Sequence, residues 1–168
     1  LLSAEADKIV ESRVLGDAVP DTSALRFGVS PHAPYTTSLC LYRSALKAAR
    51  ENGWPTVTHL AESPEEARFI NGGDGPLAEM HEALGSPTVD FESANSSPVR
   101  YLSDGGALAG IDLAVHCNQT DEADWALLAE AGVCVCLCPR SAVHLGHPFA
   151  DAAGMRLAGL NLCLGTDS

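Results

Sequence analysis

The chain has 168 residues, of which 46% are hydrophobic and 19% are charged, and its formal net charge at pH 7 is -12. This composition supplies enough apolar material for one sizeable core. It excludes a disordered chain, which needs low hydrophobicity together with high charge. The strong negative charge argues against nucleic acid and anionic membrane as partners, because both would repel the protein.

The first residues of the chain predict a polar helix end over 3–13 and a loop over 14–23, followed by a short buried strand from Leu25 to Val29. That strand ends at Ser30-Pro31-His32-Ala33-Pro34, where two prolines interrupt regular structure. Thr37 or Ser38 is predicted to cap a helix that runs to about Asn52, because Gly53 follows as a C-terminal stop.

The middle of the chain begins with a predicted strand from Thr56 to Leu60. The segment Ser63-Pro64-Glu65-Glu66 has the features of a helix start, namely a serine cap, a proline at the first helical position and acids in the first turn. Residues 71–98 form a long connection rich in glycine and proline, with a short helix over 77–84 that exposes His81 to solvent. Long connections of this kind are usually functional.

The last part of the chain alternates between helical and strand patterns. The patterns predict helices over 99–108, 121–131 and 148–158, and strands over 112–115, 134–137 and 161–164. Five apolar strands separated by helices indicate an α/β fold with parallel strands. Two architectures fit, an open doubly wound sheet and a piece of a (β/α)8 barrel.

Six cysteines raise the question of disulfides, but Cys134, Cys136 and Cys138 alternate along one apolar run. Alternate residues of a strand share a face and cannot pair within that strand. The spacing also differs from that of a Cys-x-x-Cys zinc knuckle. No apolar run reaches roughly 18 residues, and from the opening residues we expect no signal peptide. We therefore expect reduced, buried thiols in a cytoplasmic protein, with a sulfur metal site as the alternative.

Polar side chains suited to chemistry recur where the predicted strands end: His32, His59 with Glu62, His116, and Asp167. In a parallel barrel all these ends face one mouth, where the active site lies. Histidine and carboxylate are zinc-type ligands, and a bound divalent ion lowers the pKa of its water to about 7. The strand ends therefore predict a metal-dependent hydrolytic site with a carboxylic acid as proton shuttle.

Each of these residues also has an ordinary structural interpretation. A single histidine at a strand end is more often a satisfied polar residue than a ligand. Glu62 alone is explained as a helix-capping acid, and Asp167 alone as a turn residue. The joint occurrence of suitable groups at four strand ends is what favours a shared site.

Five ordered motifs resemble the amidohydrolase superfamily. The resemblance is to the branch with S-adenosylhomocysteine/methylthioadenosine deaminases, aminodeoxyfutalosine deaminases, guanine deaminases and triazine chlorohydrolases. The motifs are Ser30-Pro31-His32-Ala33-Pro34-Tyr35, Thr58-His59-Leu60-Ala61-Glu62-Ser63, Val115-His116-Cys117, Cys138-Pro139-Arg140-Ser141 and Leu164-Gly165-Thr166-Asp167-Ser168.

The resemblance implies a role for each residue. His59 and Asp167 bind a divalent metal, for which zinc is favoured while iron and manganese also suit the ligand set. Asp167 also accepts a proton from the attacking water. His116 hydrogen-bonds this water or the developing oxyanion, and Glu62 protonates the ring nitrogen and then the leaving ammonia. Glu62 also belongs to the substrate-binding residues. His32 contacts the substrate rather than the metal, and Arg140 and Ser141 shape the pocket.

The resemblance also implies a TIM-like (β/α)8 barrel, of which this chain covers about strands four to eight. A full barrel needs about 250 residues, and the His-x-His pair of the family's first strand is absent here. We therefore interpret residues 1–168 as one partial barrel domain that lacks the N-terminal strands and the flanking β-sandwich.

The implied activity is metal-dependent hydrolysis of a non-peptide carbon–nitrogen bond. The most favoured reaction is deamination of an adenine-type ring in methylthioadenosine, S-adenosylhomocysteine or aminodeoxyfutalosine by a metal-bound hydroxide. A small molecule is the expected partner, and a homo-oligomer is an open alternative. Two rival hypotheses remain, a chlorohydrolase or other ring hydrolase of the same fold, and a truncated remnant without catalytic activity.

Overall fold

A computed structural model describes residues 27–85 and 94–167. The predicted helix end over 3–13, the loop over 14–23, the first two residues of the strand predicted from Leu25, and Ser168 lie outside these ranges. Part of the long connection, 86–93, lies outside them as well.

Four strands and seven α-helices make up the described ranges. The strands are β1 (Val57–Leu60), β2 (Leu113–His116), β3 (Cys134–Leu137) and β4 (Leu162–Leu164). The helices are α1 (Leu39–Asn52), α2 (Pro64–Gly72), α3 (Pro76–Ala83), α4 (Pro98–Asp104), α5 (Glu122–Glu130), α6 (Pro139–Leu145) and α7 (Ala152–Leu157), with a 3-10 turn at Leu108–Gly110. None of the described helices is long and apolar enough to cross a membrane.

The strands form one parallel sheet in the order β1-β2-β3-β4, as the sequence predicts for βα units. In register, Val57 lies opposite Leu113 and Leu113 opposite Cys134. Of the strand predicted from Leu25 to Val29, the described residues show a single parallel bridge between Val29 and Thr56. That bridge places the segment before His32 next to β1, on the side of β1 that faces away from β2.

One face of the sheet is covered by the helices. Leu60, Ala114 and Val135 are fully buried on this face. They pack with buried helical and connecting residues that include Tyr42, Leu46, Val99, Leu102, Trp125, Leu128 and Met155. The alternate residues of β1, Val57 and His59, face the other side and are only half-buried. The site residues on that side are therefore carried by a sheet anchored through its opposite face.

The strand order separates the two architectures that the sequence left open. A doubly wound sheet reverses its order at a switch point and carries helices on both faces. The described strands show no reversal, and their fully buried residues face a single helical layer. Both features agree with consecutive units of a (β/α)8 barrel.

Local capping explains where several helices begin and end. Ser38 and Ser63 accept hydrogen bonds from the backbone N–H groups of the first turns of α1 and α2, at 3.2 and 3.1 Å. Gly53 adopts a left-handed φ of +67° and ends α1. These caps confirm the predicted starts and the predicted stop.

Three helical predictions differ from the structure. The sequence predicts no helix directly after β3, whereas α6 begins at Pro139, where a proline lacks only an N–H that the first turn does not need. The helix predicted from residue 148 begins at Ala152, because Asp151 caps it by accepting from the Gly154 N–H at 2.9 Å. The helix predicted over 99–108 ends at Asp104 and is followed by a separate 3-10 turn.

The N-terminal ends of β1 and β2 are joined by a part-buried pair of hydrogen bonds between Thr56 and the exposed Asp112. The Thr56 N–H donates to Asp112 Oδ2 at 2.7 Å, and the Asp112 N–H donates to Thr56 Oγ1 at 2.9 Å. The hydroxyl hydrogen of Thr56 has two acceptors within reach, Gly110 O at 2.8 Å and Asp112 Oδ2 at 2.9 Å. Thr56 is 3% exposed, so water reaches its side of the pair poorly, whereas Asp112 is exposed.

We therefore expect Thr56→Val, which keeps the shape but removes the hydroxyl, to lower the free energy of unfolding by about 1–3 kcal/mol. Thr56→Ser keeps the hydroxyl and serves as the matched control, with stability close to that of the wild type. Urea unfolding of the full-length protein measures both values. Equal stability of the valine and serine variants would contradict the interpretation.

Candidate metal and catalytic site

The sheet brings three of the predicted site residues to one place. His59 lies on β1, His116 is the last residue of β2, and Asp167 follows β4. One possible ligand atom from each lies within 4.8 Å of the other two. Glu62 joins this group from the segment after β1, since its Oε1 lies 3.6 Å from His116 Nε2.

The backbone turns sharply at these strand ends. Five non-glycine residues among those described have a positive φ, and four of them follow or end a strand at the site: Ala61 (+51°), His116 (+78°), Cys117 (+53°) and Asp167 (+51°). Side chains rarely adopt this conformation, and each instance costs about 1 kcal/mol or more. Strain of this kind persists only where the surroundings fix the backbone, and it is typical of functional sites.

The orientation of the His59 ring is set by a backbone carbonyl. His59 Nδ1 lies 3.0 Å from His32 O, and the backbone N–H of His59 donates to the same oxygen at 2.9 Å. A carbonyl only accepts, so Nδ1 carries the hydrogen and Nε2 keeps a free lone pair. This tautomer is the one in which a histidine presents Nε2 to a metal.

A second hydrogen-bond chain supports that carbonyl from the core. The Thr58 hydroxyl lies 3.3 Å from His32 O and 2.6 Å from the hydroxyl of Tyr42 on α1. Burial raises the pKa of Tyr42 above its ordinary value, so this phenol stays protonated. The ring of His59 is therefore connected through His32 and Thr58 to the buried face of α1.

His116 lies between two carboxylates. Its Nε2 is 3.6 Å from Glu62 Oε1 and 3.7 Å from Asp167 Oδ2, distances too long for hydrogen bonds. The residue is 1% exposed, and neither ring nitrogen has a hydrogen-bond partner within the described part of the chain. The pKa of His116 is lowered overall, because the effect of burial is larger than that of Glu62 and Asp167, which raise it.

These features fit a divalent cation. The imidazole nitrogen of His59 and the carboxylate oxygen of Asp167 are zinc-type ligands, and ligands about 2.1 Å from one zinc ion lie within about 4.2 Å of each other. The observed spread of up to 4.8 Å needs only a small closure. Buried ring nitrogens without partners also carry an energetic cost that a ligand at this position offsets.

Asp167 is held by a residue of α6. Ser141 Oγ donates to Asp167 Oδ2 at 2.7 Å, and Ser141 is 8% exposed. Both residues also line a cavity of about 830 Å³. Arg140 and the exposed apolar side chains Val143, Leu145 and Phe149 contribute to the same wall. Ser141, predicted as a pocket residue, thus also contacts a predicted metal ligand.

His32, predicted to contact substrate, lies on the opposite side of the group, with its ring centre 5.1 Å from that of His59. Its Nδ1 lies 2.6 Å from the hydroxyl of Thr36. Burial and the neighbouring His59 lower the pKa of His32, so the ring is neutral at neutral pH.

The interpretation of His81 as a solvated surface residue is wrong. Its Nε2–H donates to the carbonyl of Tyr35 at 2.6 Å, and its ring stacks on Phe69 with centroids 5.2 Å apart. His81 therefore joins α3 to the segment that carries His32. Its sequence neighbours gave no sign of this contact, because Tyr35 is 46 residues away.

Glu66 is a buried acid beside the site that the sequence motifs did not single out. It is fully buried, and its two oxygens accept the backbone N–H groups of Ala61 and Glu62 at 3.0 and 2.9 Å. Burial raises its pKa to about 7, while these two bonds lower it. The pattern Ser63-x-x-Glu66, a capping-box spacing, was the available signal.

The six cysteines of the described ranges are free thiols, as expected, but the expectation that they are buried holds for only three of them. Cys117, Cys136 and Cys138 are buried, whereas Cys40 and Cys163 are exposed. A Cβ on Gly165 would come within 2.8 Å of Cys136 Sγ. The approach of β4 to β3 near Asp167 thus depends on a glycine there.

Residues 4–168 match the sequence model of the amidohydrolase family. Among curated proteins, the chain is similar to an aminodeoxyfutalosine deaminase of Deinococcus radiodurans, with 37% identity over 155 residues. It is also similar to a 5-methylthioadenosine/S-adenosylhomocysteine deaminase of Halothermothrix orenii, with 30% identity over 139 residues. The alignments cover 86% and 83% of this chain but only 36% and 28% of the two relatives, so the chain spans about a third of their length.

A solved structure gives the same grouping. The crystal structure of an adenosine deaminase from Xanthomonas campestris with bound zinc matches with a TM-score of 0.72 and 27% identity. The match covers 95% of this chain and 32% of that protein.

The bond from Ser141 to Asp167 gives a prediction for metal binding. In the full-length protein, we expect Ser141→Ala to lower the affinity for Zn²⁺ by about 10–100-fold, because the carboxylate of Asp167, a predicted ligand, loses the donor that orients it. Competition with a chromogenic chelator measures the affinity. Ser44→Ala is the matched control, since Ser44 is exposed and bonds only within α1. An unchanged affinity in Ser141→Ala would refute the prediction.

Proposed function

Since the chain belongs to the amidohydrolase family, we propose that the full-length protein is a metal-dependent hydrolase that deaminates an adenine-type ring. The observation that carries the proposal is the convergence of His59, His116 and Asp167 beside Glu62. The names of the relatives support nucleosides of the aminodeoxyfutalosine, methylthioadenosine and S-adenosylhomocysteine type as substrates.

We assign His59 and Asp167 as metal ligands. When bound, a divalent cation lowers the pKa of a water ligand to about 7 and so supplies a nucleophile at neutral pH. His59 offers Nε2, because His32 O holds Nδ1–H, and Asp167 offers the carboxylate that Ser141 orients. Zinc suits this set and is present in the similar adenosine deaminase structure, while iron and manganese accept the same ligands.

The carboxylates and His116 are arranged for proton transfer around one substrate ring. The oxygen of water bonds to the ring carbon that bears the amine, and the carbon–nitrogen bond breaks. One water proton ends on the neighbouring ring nitrogen and the other on ammonia. We assign the first water proton to Glu62, which delivers it to the ring nitrogen. We assign the uptake of the second water proton to Asp167, which passes it to the now ionised Glu62 for delivery to ammonia. His116, neutral because burial lowers its pKa, hydrogen-bonds the water or the developing oxyanion.

The walls around this centre are assigned to substrate binding. His32 lies on one side of the group, and the cavity of about 830 Å³ that Arg140 and Ser141 line lies on the other. A cavity of this volume accommodates a nucleoside-sized molecule. The guanidinium of Arg140 offers hydrogen-bond donors to oxygens of the substrate, and the apolar wall suits an uncharged substituent.

We further propose a cytoplasmic location with a small molecule as the partner. The free thiols of the described ranges suit a reducing compartment, and the formal charge of -12 disfavours nucleic acid and anionic membrane. We propose that the chain forms part of a (β/α)8 barrel domain and contributes about its fourth to eighth strands.

The substrate proposal is tested by the leaving group. We expect the full-length protein with Zn²⁺ to release ammonia from methylthioadenosine, S-adenosylhomocysteine or aminodeoxyfutalosine, and a chelator to abolish the release. Chlorinated triazines serve as the comparison, with chloride as the measured product. Chloride release without ammonia release, from folded and metal-loaded protein, would overturn the deaminase proposal in favour of a chlorohydrolase.

The proton-transfer role of Glu62 gives a separate prediction. Glu62→Gln keeps the size of the side chain but removes the proton, so we expect kcat to fall by about 10²–10⁴-fold while the zinc content stays unchanged. Glu65→Gln, an exposed position on the next helix, is the control with wild-type turnover. Steady-state kinetics with metal analysis checks the prediction, and full activity of Glu62→Gln would exclude this role.

A further inference from the structure

A buried carboxylate without a cation raises the question of what stabilises it. Glu66 is fully buried at the start of α2, and no Lys, Arg or His forms an ion pair with it within the described ranges. The basic residue on the same helix, Arg68, pairs instead with Asp74 at 2.8 Å. Burying an unpaired carboxylate is costly, so its hydrogen bonds must account for its presence.

Those hydrogen bonds go to the segment that presents Glu62. Glu66 Oε1 accepts the Ala61 N–H at 3.0 Å, and Oε2 accepts the Glu62 N–H at 2.9 Å. In an ordinary capping box, the third-position carboxylate bonds the N–H of the cap residue itself, here Ser63. Both bonds of Glu66 go to residues that precede the cap, so they hold the connection from β1 rather than the helix alone.

The same segment is held from the other side by the residues after β2. The Gln119 N–H donates to Ala61 O at 2.8 Å, and Asn118 Nδ2 donates to Glu62 O at 3.0 Å. Ala61 has a left-handed φ of +51°, a conformation that its own sequence does not favour. The carbonyls of Ala61 and Glu62 are thus bonded to Gln119 and Asn118, and their N–H groups are bonded to Glu66. Without Glu66, both N–H groups would lose their acceptors.

We infer that Glu66 is a positioning residue, whose buried carboxylate fixes the backbone of Ala61 and Glu62 and thereby directs the side chain of Glu62 toward His116. This inference rests on the proposed function, in which Glu62 transfers protons to the substrate. Glu66 itself touches neither the group of possible metal ligands nor the cavity.

The decisive variant is Glu66→Gln in the full-length, zinc-loaded protein. Glutamine has the same shape but only one acceptor oxygen, and its NH2 group opposes the second N–H. At pH 8 we expect kcat to fall roughly 10²-fold, because a catalytic group displaced by about 1 Å loses that much, while KM and zinc content change little. Hydrogen exchange at the amides of Ala61 and Glu62 should become faster than in the wild type.

Glu65→Gln is the matched control, because it removes an acid from the same helical turn but is exposed and bonds neither N–H group. It should keep wild-type kcat and wild-type exchange. If Glu66→Gln does not fold, Glu66→Asp replaces it with the same expected signs, since aspartate keeps the charge but is too short to reach both N–H groups.

A double-mutant cycle with Glu62→Gln separates positioning from general stability. If Glu66 acts through Glu62, adding Glu66→Gln to Glu62→Gln should lower kcat little further. Additive losses, or unchanged amide exchange in Glu66→Gln, would overturn the inference. If the wild type deaminates no nucleoside, the proposed function fails, and the exchange measurement still decides the role of Glu66.

Discussion

The pairing of β1 with β2 continues past the point where the strands end, and the site depends on this continuation. The Cys117 N–H donates to Leu60 O at 2.9 Å, and the Gln119 N–H donates to Ala61 O at 2.8 Å. These bonds hold two left-handed turns, at Ala61 and at His116-Cys117, against each other. Each turn directs a side chain to the edge of the sheet. Because the two turns are hydrogen-bonded to each other, the side chains of Glu62 and His116 are held close together.

Electrostatics follows from the same arrangement. Glu62 and Asp167 both lie within 3.7 Å of His116 Nε2, while the buried Glu66 accepts the backbone N–H of Glu62. Acids gathered at one edge of a sheet repel one another, and a cation at that edge reduces the repulsion. The group is therefore suited to a divalent ion on electrostatic grounds as well as by its ligand types.

Most of the helices and strands and the polar residues at the strand ends can be predicted from the sequence, because both follow from local patterns. The strand 134–137 lies in an apolar run that ends before Pro139, and the strand 56–60 combines apolar and polar residues. The parallel sheet then brings His59, His116 and Asp167 to one edge. Helix α6 is not predicted from the sequence, because its seven residues are too few for a periodic pattern. The contacts of Glu66 and His81 were also missed, because they depend on a left-handed turn at an alanine and on a partner 46 residues away. Such contacts have no local signature.

The wall of the cavity is built differently from the centre of the site. On α6, Ser141 and Ala142 are buried, whereas Val143 and Leu145 are 67% and 53% exposed, as is Phe149 beyond the helix at 64%. Substituting these exposed apolar side chains removes little packing among the described residues, so the described part of the fold tolerates changes there at small cost. The residues that contact one another at the strand ends have no such freedom. Under the proposed function, this division between a variable wall and a constrained centre would let the choice of substrate drift in evolution while the reaction chemistry stays fixed.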